Sequence, residues 1–69
     1  MDINKAFGLY IKERRTELGY SQRDVAKMLG VSQACYQRYE TGQREITLSV
    51  LKAIAVVLGF KPDDFFKGV

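Results

Sequence analysis

The chain has 69 residues, with 11 lysines and arginines, eight aspartates and glutamates, no histidine and one cysteine. This composition excludes an internal disulfide, the usual zinc sites and a Ser-His or Cys-His nucleophile, and no apolar run reaches the roughly 20 residues that span a bilayer. A net charge of +3 favours a polyanionic partner without proving one, and the length predicts a single small domain over residues 1–69.

The first predicted element is an amphipathic helix that ends near Gly19. Its apolar stripe consists of residues at helical spacing: Ile3, Phe7, Ile11 and Leu18. Arg15 falls on the same stripe, where an unpaired guanidinium would be costly. We therefore expect Arg15 to pair with a carboxylate from another helix.

Residues 21–42, SQRDVAKMLGVSQACYQRYETG, predict two short helices joined at one glycine. Ser21 is a favourable N-cap and Asp24 completes a capping box, so a helix should begin at Gln22. Gly30 should end that helix, because glycine adopts the left-handed conformation at no steric cost, and Ser32 can cap the next. The apolar face of the first helix comprises Val25, Ala26 and Leu29. The pattern predicts a tight helix-turn-helix over about residues 22–41.

The second helix of this motif has two faces. Residues expected to pack are Tyr36, Tyr39 and Glu40, and the opposite face carries Ser32, Gln33, Ala34, Gln37, Arg38 and Thr41. Arginine reads guanine and glutamine reads adenine in the major groove of DNA, while small apolar groups contact the thymine methyl. A stripe of this kind is also typical of a solvated helix face, but the tight turn beside it favours DNA reading.

The remainder of the chain also predicts helices. Thr47 can cap a fourth helix that ends at Gly59, and Pro62 fits the first turn of a short fifth helix running through Phe66. Residues expected to face inward from the fourth helix are Leu48, Leu51, Ile54, Ala55 and Leu58. Since no segment alternates with period two, we predict an all-α fold, a compact five-helix bundle.

The segment SQRDVAKMLGVSQACYQRYETGQREI resembles the core motif of the Xre, or lambda-repressor-like, helix-turn-helix family, and the resemblance extends over roughly residues 5–66. The matching positions are Gln22, Ala26, Gly30, Glu40 and Gly42. Tyr36 departs from the family, which more often has Ile or Val there, and its hydroxyl needs a partner. Ala34 is a second departure, because some relatives carry a polar base-reading residue at that position.

The resemblance implies roles for particular residues. Gln22 resembles the glutamine that donates to a DNA phosphate, and Gln33 resembles the base-contacting glutamine of the recognition helix, with Gln37 and Arg38 one turn further on. In the following loop, Gln43 and Arg44 are candidates for backbone contacts. The residues and the resemblance together suggest an Arg15–Glu40 ion pair between the first and third helices, the alternative being two independent surface charges.

These observations predict a sequence-specific transcriptional regulator that binds double-stranded DNA, has no cofactor and is not an enzyme. A homodimer on a palindromic operator would repress by occluding the promoter, although an acidic contact with polymerase could instead activate. The aromatic-rich end suggests dimer contacts through Phe60, Phe65, Phe66 and Val69. The alternatives are an antitoxin that binds a small toxin, and a protein-interaction module that does not bind DNA.

Two further expectations concern location and redox chemistry. The N-terminal residues lack the pattern of a signal peptide, which predicts a cytoplasmic protein. Cys35 lies within the predicted recognition helix, where a reactive thiol could switch off DNA binding. Nothing in the sequence indicates a lowered thiol pKa, so we interpret Cys35 as an inert small residue.

Overall fold

The computed structural model describes residues 2–67, which form five α-helices and no strand. The helices are α1 (Ile3–Glu17), α2 (Gln22–Leu29), α3 (Gln33–Thr41), α4 (Leu48–Leu58) and α5 (Pro62–Lys67). The predicted all-α, five-helix architecture is therefore confirmed. Val69, one of the predicted dimer contacts, lies outside the described residues.

Local hydrogen bonds set the ends of the two motif helices. The Ser21 hydroxyl accepts from the Asp24 amide at 3.0 Å, and the Asp24 carboxylate accepts from the Ser21 amide at 2.9 Å. This reciprocal pair is the capping box predicted from the sequence. Gly30 ends α2 with a φ of +73°, in the left-handed region that glycine favours. Both predicted boundaries are confirmed.

The core lies between α1 and the other four helices. Its buried apolar side chains are Phe7, Ile11, Val25, Ala26, Tyr36, Tyr39, Leu51, Ile54, Leu58 and Phe65. The prediction that Leu48 faces inward is wrong, because its side chain is 66% exposed. Leu48 is the first residue of α4, at the rim of the bundle, so it has helical spacing but no described helix covers it.

Gly8 allows α1 and α3 to touch through their backbones. A Cβ atom placed on Gly8 would lie 2.6 Å from the carbonyl oxygen of Tyr39 and would collide with the carbonyl oxygen of Glu40. Only glycine fits at this crossing without displacing one helix. The end of α3 is thus held directly against α1.

Aromatic rings attach α5 to α1. The ring of Phe65 is 3% exposed, and its centroid lies 5.3 Å from that of Phe7 and 5.4 Å from that of Tyr10. Phe60 packs against Tyr10 at 5.0 Å and is half-buried, whereas Phe66 is 52% exposed. Phe65 therefore fills the core of its own protomer, and the prediction that it contributes to a dimer contact is wrong.

Candidate nucleic-acid interface

Hydrogen bonds define the turn between α2 and α3 and so the direction of the second helix. The Val31 amide donates to the Ala26 carbonyl at 3.0 Å, and the Ser32 hydroxyl accepts from the Cys35 amide at 3.1 Å. These bonds close α2 and open α3 with no intervening flexible loop. The outward face of α3 consequently has a defined direction relative to α2.

That outward face contains the residues predicted to read DNA. The exposed side chains are those of Ser32, Gln33, Ala34, Gln37, Arg38 and Thr41, and the side chains of Tyr36, Tyr39 and Glu40 are buried behind them. The structure therefore brings the predicted set together on one ridge. Its amide, guanidinium and methyl groups are able to contact base edges in a major groove, which is wide enough to admit an α-helix.

The loop after α3 presents the two candidates for backbone contacts, Gln43 and Arg44, both of which are exposed. The carbonyl of Arg38 accepts their amides at 2.9 Å and 3.3 Å, and the Arg44 guanidinium carbon lies 5.7 Å from the centroid of the Tyr39 ring. This cation–π contact keeps a positive charge near the end of α3.

The start of α1 supports the same loop. The side-chain oxygen of Asn4 accepts from the Ile46 amide at 3.1 Å. Gly42 has a φ of +76°, and a Cβ atom there would lie 2.6 Å from the Cγ atom of Lys5. Sequence reasoning assigned no role to Asn4, Lys5 or Gly8, because their contacts are with residues far away along the chain.

Arg15 and Glu40 form a bidentate ion pair behind α3. The Nε atom of Arg15 lies 2.6 Å from Oε2 of Glu40, and its Nη2 atom lies 3.2 Å from Oε1. The side chains are 13% and 2% exposed, and Arg15 also donates to the Tyr20 carbonyl at 2.8 Å. The structure thus joins the residues that were expected to pair, in a geometry that links α1 to α3.

The carboxylate of Glu40 is stabilised in its charged form. Burial by itself would raise its pKa, but hydrogen bonds from Arg15 and Gln22, together with the nearby Tyr36 hydroxyl, outweigh that effect and lower it. The Glu40 carboxylate in turn raises the pKa of Arg15, against the opposing effect of burial. Both groups are therefore ionised at neutral pH.

The side chain of Gln22 is less exposed than expected for a residue that contacts a phosphate at the surface. It is half-buried as the first residue of α2, and its Nε2 atom donates to Oε1 of Glu40 at 3.0 Å. The amide is thus turned toward an almost fully buried carboxylate. No sequence signal could reveal this bond, because Gln22 and Glu40 belong to different helices.

Three features of the described part of the chain bear on metal binding, membrane insertion and thiol chemistry. Residues 2–67 contain no group of three or more His, Cys, Asp or Glu side chains that could hold a metal ion. None of the described helices is long and apolar enough to cross a membrane. Cys35 is a half-buried free thiol.

A family model described as helix-turn-helix matches residues 11–65. The chain belongs to this Xre/Cro-like helix-turn-helix family. It is 39% identical over 62 residues to the SPbeta prophage-derived uncharacterized HTH-type transcriptional regulator YonR of Bacillus subtilis, covering 90% of this chain and 57% of the relative. It is 41% identical over 49 residues to a putative HTH-type transcriptional regulatory protein of Saccharolobus solfataricus, covering 71% of this chain and 16% of that relative. The chain thus spans about half or less of these helix-turn-helix relatives.

Solved structures of helix-turn-helix regulators share the fold. The restriction-modification controller protein C.AhdI from Aeromonas hydrophila superposes with a TM-score of 0.86 at 29% identity, covering 96% of this chain and all of the other. The clp gene regulator ClgR from C. glutamicum gives a TM-score of 0.87, covering 93% of this chain and 83% of the other. At 23% identity, the second likeness concerns the fold alone.

Proposed function

We propose that the chain is a sequence-specific DNA-binding regulator of transcription and that α3 is its recognition helix. The observation that carries this proposal is the exposed polar ridge of α3, held from behind by the Arg15–Glu40 pair and the backbone contact at Gly8. Support also comes from relatives that are named transcriptional regulators.

The proposed contacts divide into two classes. Base edges would be read by Gln33, Ala34, Gln37 and Arg38, with Ser32 and Thr41 at the two ends of the ridge. Phosphates would be bound by Gln22 at the start of α2 and by Gln43 and Arg44 after α3. Phosphate contacts position the protein on the duplex, and base contacts select the sequence.

We further propose that the regulator acts as a homodimer that represses by covering a palindromic operator. One short recognition helix discriminates few base pairs, and two related by a twofold axis read half-sites about one helical turn apart. Exposed apolar side chains on α4 and α5 are available for the dimer contact: Leu48, Val56 and Phe66, which are 66%, 82% and 52% exposed. Apolar groups on adjoining helices suit an interface between identical copies.

The test is selection of bound duplexes from a random-sequence pool at about 150 mM salt, where nonspecific phosphate attraction is reduced. We expect an enriched inverted repeat with half-site centres about 10 base pairs apart. Gln33→Ala should relax the preference at one position of each half-site, and Lys12→Ala, an exposed change on α1, should leave the selected sequence unchanged. Absence of any enrichment with folded protein would refute the proposal and favour a protein partner.

A further inference from the structure

The hydroxyl group of Tyr36 is a buried polar group that lies near the Glu40 carboxylate and makes no hydrogen bond within residues 2–67 in this conformation. Tyr36 is 0% exposed, and its hydroxyl oxygen has no hydrogen-bond partner among the described residues. Glu40 lies four residues further along α3, so the two side chains are neighbours on one helix. An unsatisfied buried hydroxyl is costly, which points to a second arrangement in which this one donates a hydrogen bond.

Glu40 is the acceptor that such an arrangement would use. Its Oε2 atom accepts the short bond from Arg15, and its Oε1 atom accepts a longer bond from Arg15 at 3.2 Å and one from Gln22 at 3.0 Å. If Gln22 left, Oε1 would keep only its longer bond. A buried carboxylate that loses a donor is destabilised unless another donor replaces it.

The Gln22 amide that is proposed to bind a phosphate is directed inward in this structure. In the present conformation its Nε2 atom donates to Oε1 of Glu40, whose side chain is 2% exposed. Rotation of the side chain outward from the start of α2 would present both amide N–H groups to a phosphate. That rotation breaks the bond to Glu40.

We propose that Tyr36 is a positioning residue for the phosphate contact of Gln22. When Gln22 turns outward to a DNA phosphate, the Tyr36 hydroxyl donates to the Oε1 atom of Glu40 that Gln22 has left. The exchange keeps the carboxylate satisfied, so the Arg15–Glu40 pair continues to hold α3 while Gln22 binds. This inference rests on the proposed DNA binding. It also gives a reason for the tyrosine at position 36, where the helix-turn-helix family more often has Ile or Val.

A first experiment needs no DNA. Gln22→Met keeps the length of the side chain and removes its hydrogen bond, so in that variant Tyr36 should already donate to Glu40. Urea unfolding measures how much this hydrogen bond stabilises the fold. Four proteins are compared: the wild type, Tyr36→Phe, Gln22→Met and the double variant. We expect Tyr36→Phe to leave stability unchanged or higher in the wild-type background and to lower the folding equilibrium constant on the order of ten-fold in the Gln22→Met background. An equal loss in both backgrounds would overturn the exchange.

The second experiment measures the affinity of the same four proteins for a selected operator by fluorescence anisotropy, at a temperature where all remain folded. Tyr36→Phe should weaken binding on the order of ten-fold when Gln22 is present and should have no effect in the Gln22→Met background. Tyr20→Phe, at an exposed tyrosine, is the matched control and should change nothing. Unchanged affinity of Tyr36→Phe would overturn the inference alone, whereas failure of the wild type to bind any duplex would overturn the proposed function as well.

Discussion

Replacement of Gly8 by alanine tests the contact on which the position of α3 depends. The added Cβ atom would lie 2.6 Å from the Tyr39 carbonyl oxygen and 2.7 Å from the Glu40 carbonyl carbon, so α1 and α3 must separate. Overpacking costs about 1–3 kcal/mol, and the upper part of that range, about 2–3 kcal/mol, applies here because no side-chain rotation can relieve a clash with backbone atoms. Alanine is favoured over glycine within a helix by about 1 kcal/mol, which offsets part of the cost.

The net loss should be about 1–2 kcal/mol, which lowers the melting temperature of a domain of this size by roughly 5–15 °C. Thermal unfolding followed by circular dichroism gives the value, and Leu9→Ala, at the neighbouring exposed position of α1, serves as the control with little change expected. Operator affinity should fall as well, because α3 moves. A melting temperature equal to or above that of the wild type would refute the reasoning, since it would mean that Gly8 behaves like an open helix site.

The other predictions concern the ion pair and the proposed DNA contacts. Glu40→Ala should reduce the free energy of unfolding by about 3 kcal/mol in urea, because Arg15 is left without its buried partner. Since the folded-state pKa of Glu40 is lowered from 4.5, its contribution is present above that pH and is lost as the pH falls below it, so Glu40→Gln should flatten the acid limb of a stability-against-pH curve. Arg38→Ala should cost about 1–3 kcal/mol at one base position and relax the preference there; equal losses on all sequences would make it a phosphate contact. Arg44→Ala should weaken every duplex and reduce the slope of log K against log salt by about 0.9, and Lys67→Ala should not.

Features that depend on neighbouring residues could be predicted from the sequence. Ser21 with Asp24, and the left-handed Gly30, act over three or four residues, so their local pattern is enough to place the ends of α2. The outward ridge of α3 follows from helical spacing in the same way. Helical spacing does not predict which residues the rest of the bundle covers. Leu48 shows why: spacing places it on the same face as Leu51, but its burial depends on whether another element covers that end of α4.

The hidden parts of the candidate site are contacts between distant residues. The Gln22–Glu40 bond, the Gly8 crossing and the Asn4–Ile46 bond each join separate elements, and nothing within either segment indicates its partner. The partner of Arg15 was an exception that could be predicted, because a charged side chain on an apolar stripe requires a counter-ion. Gly8 carried a weaker signal, since a glycine inside a strong helical pattern often has a packing reason.

The stacking of Phe65 on Phe7 has a consequence for biosynthesis. The two rings come from opposite ends of the chain, and their centroids lie 5.3 Å apart. During translation, α1 leaves the ribosome long before the ring that covers it has been made. The part of the core around Phe7 therefore cannot close until residues through Phe65 have emerged, whereas α1 can meet α3 before then.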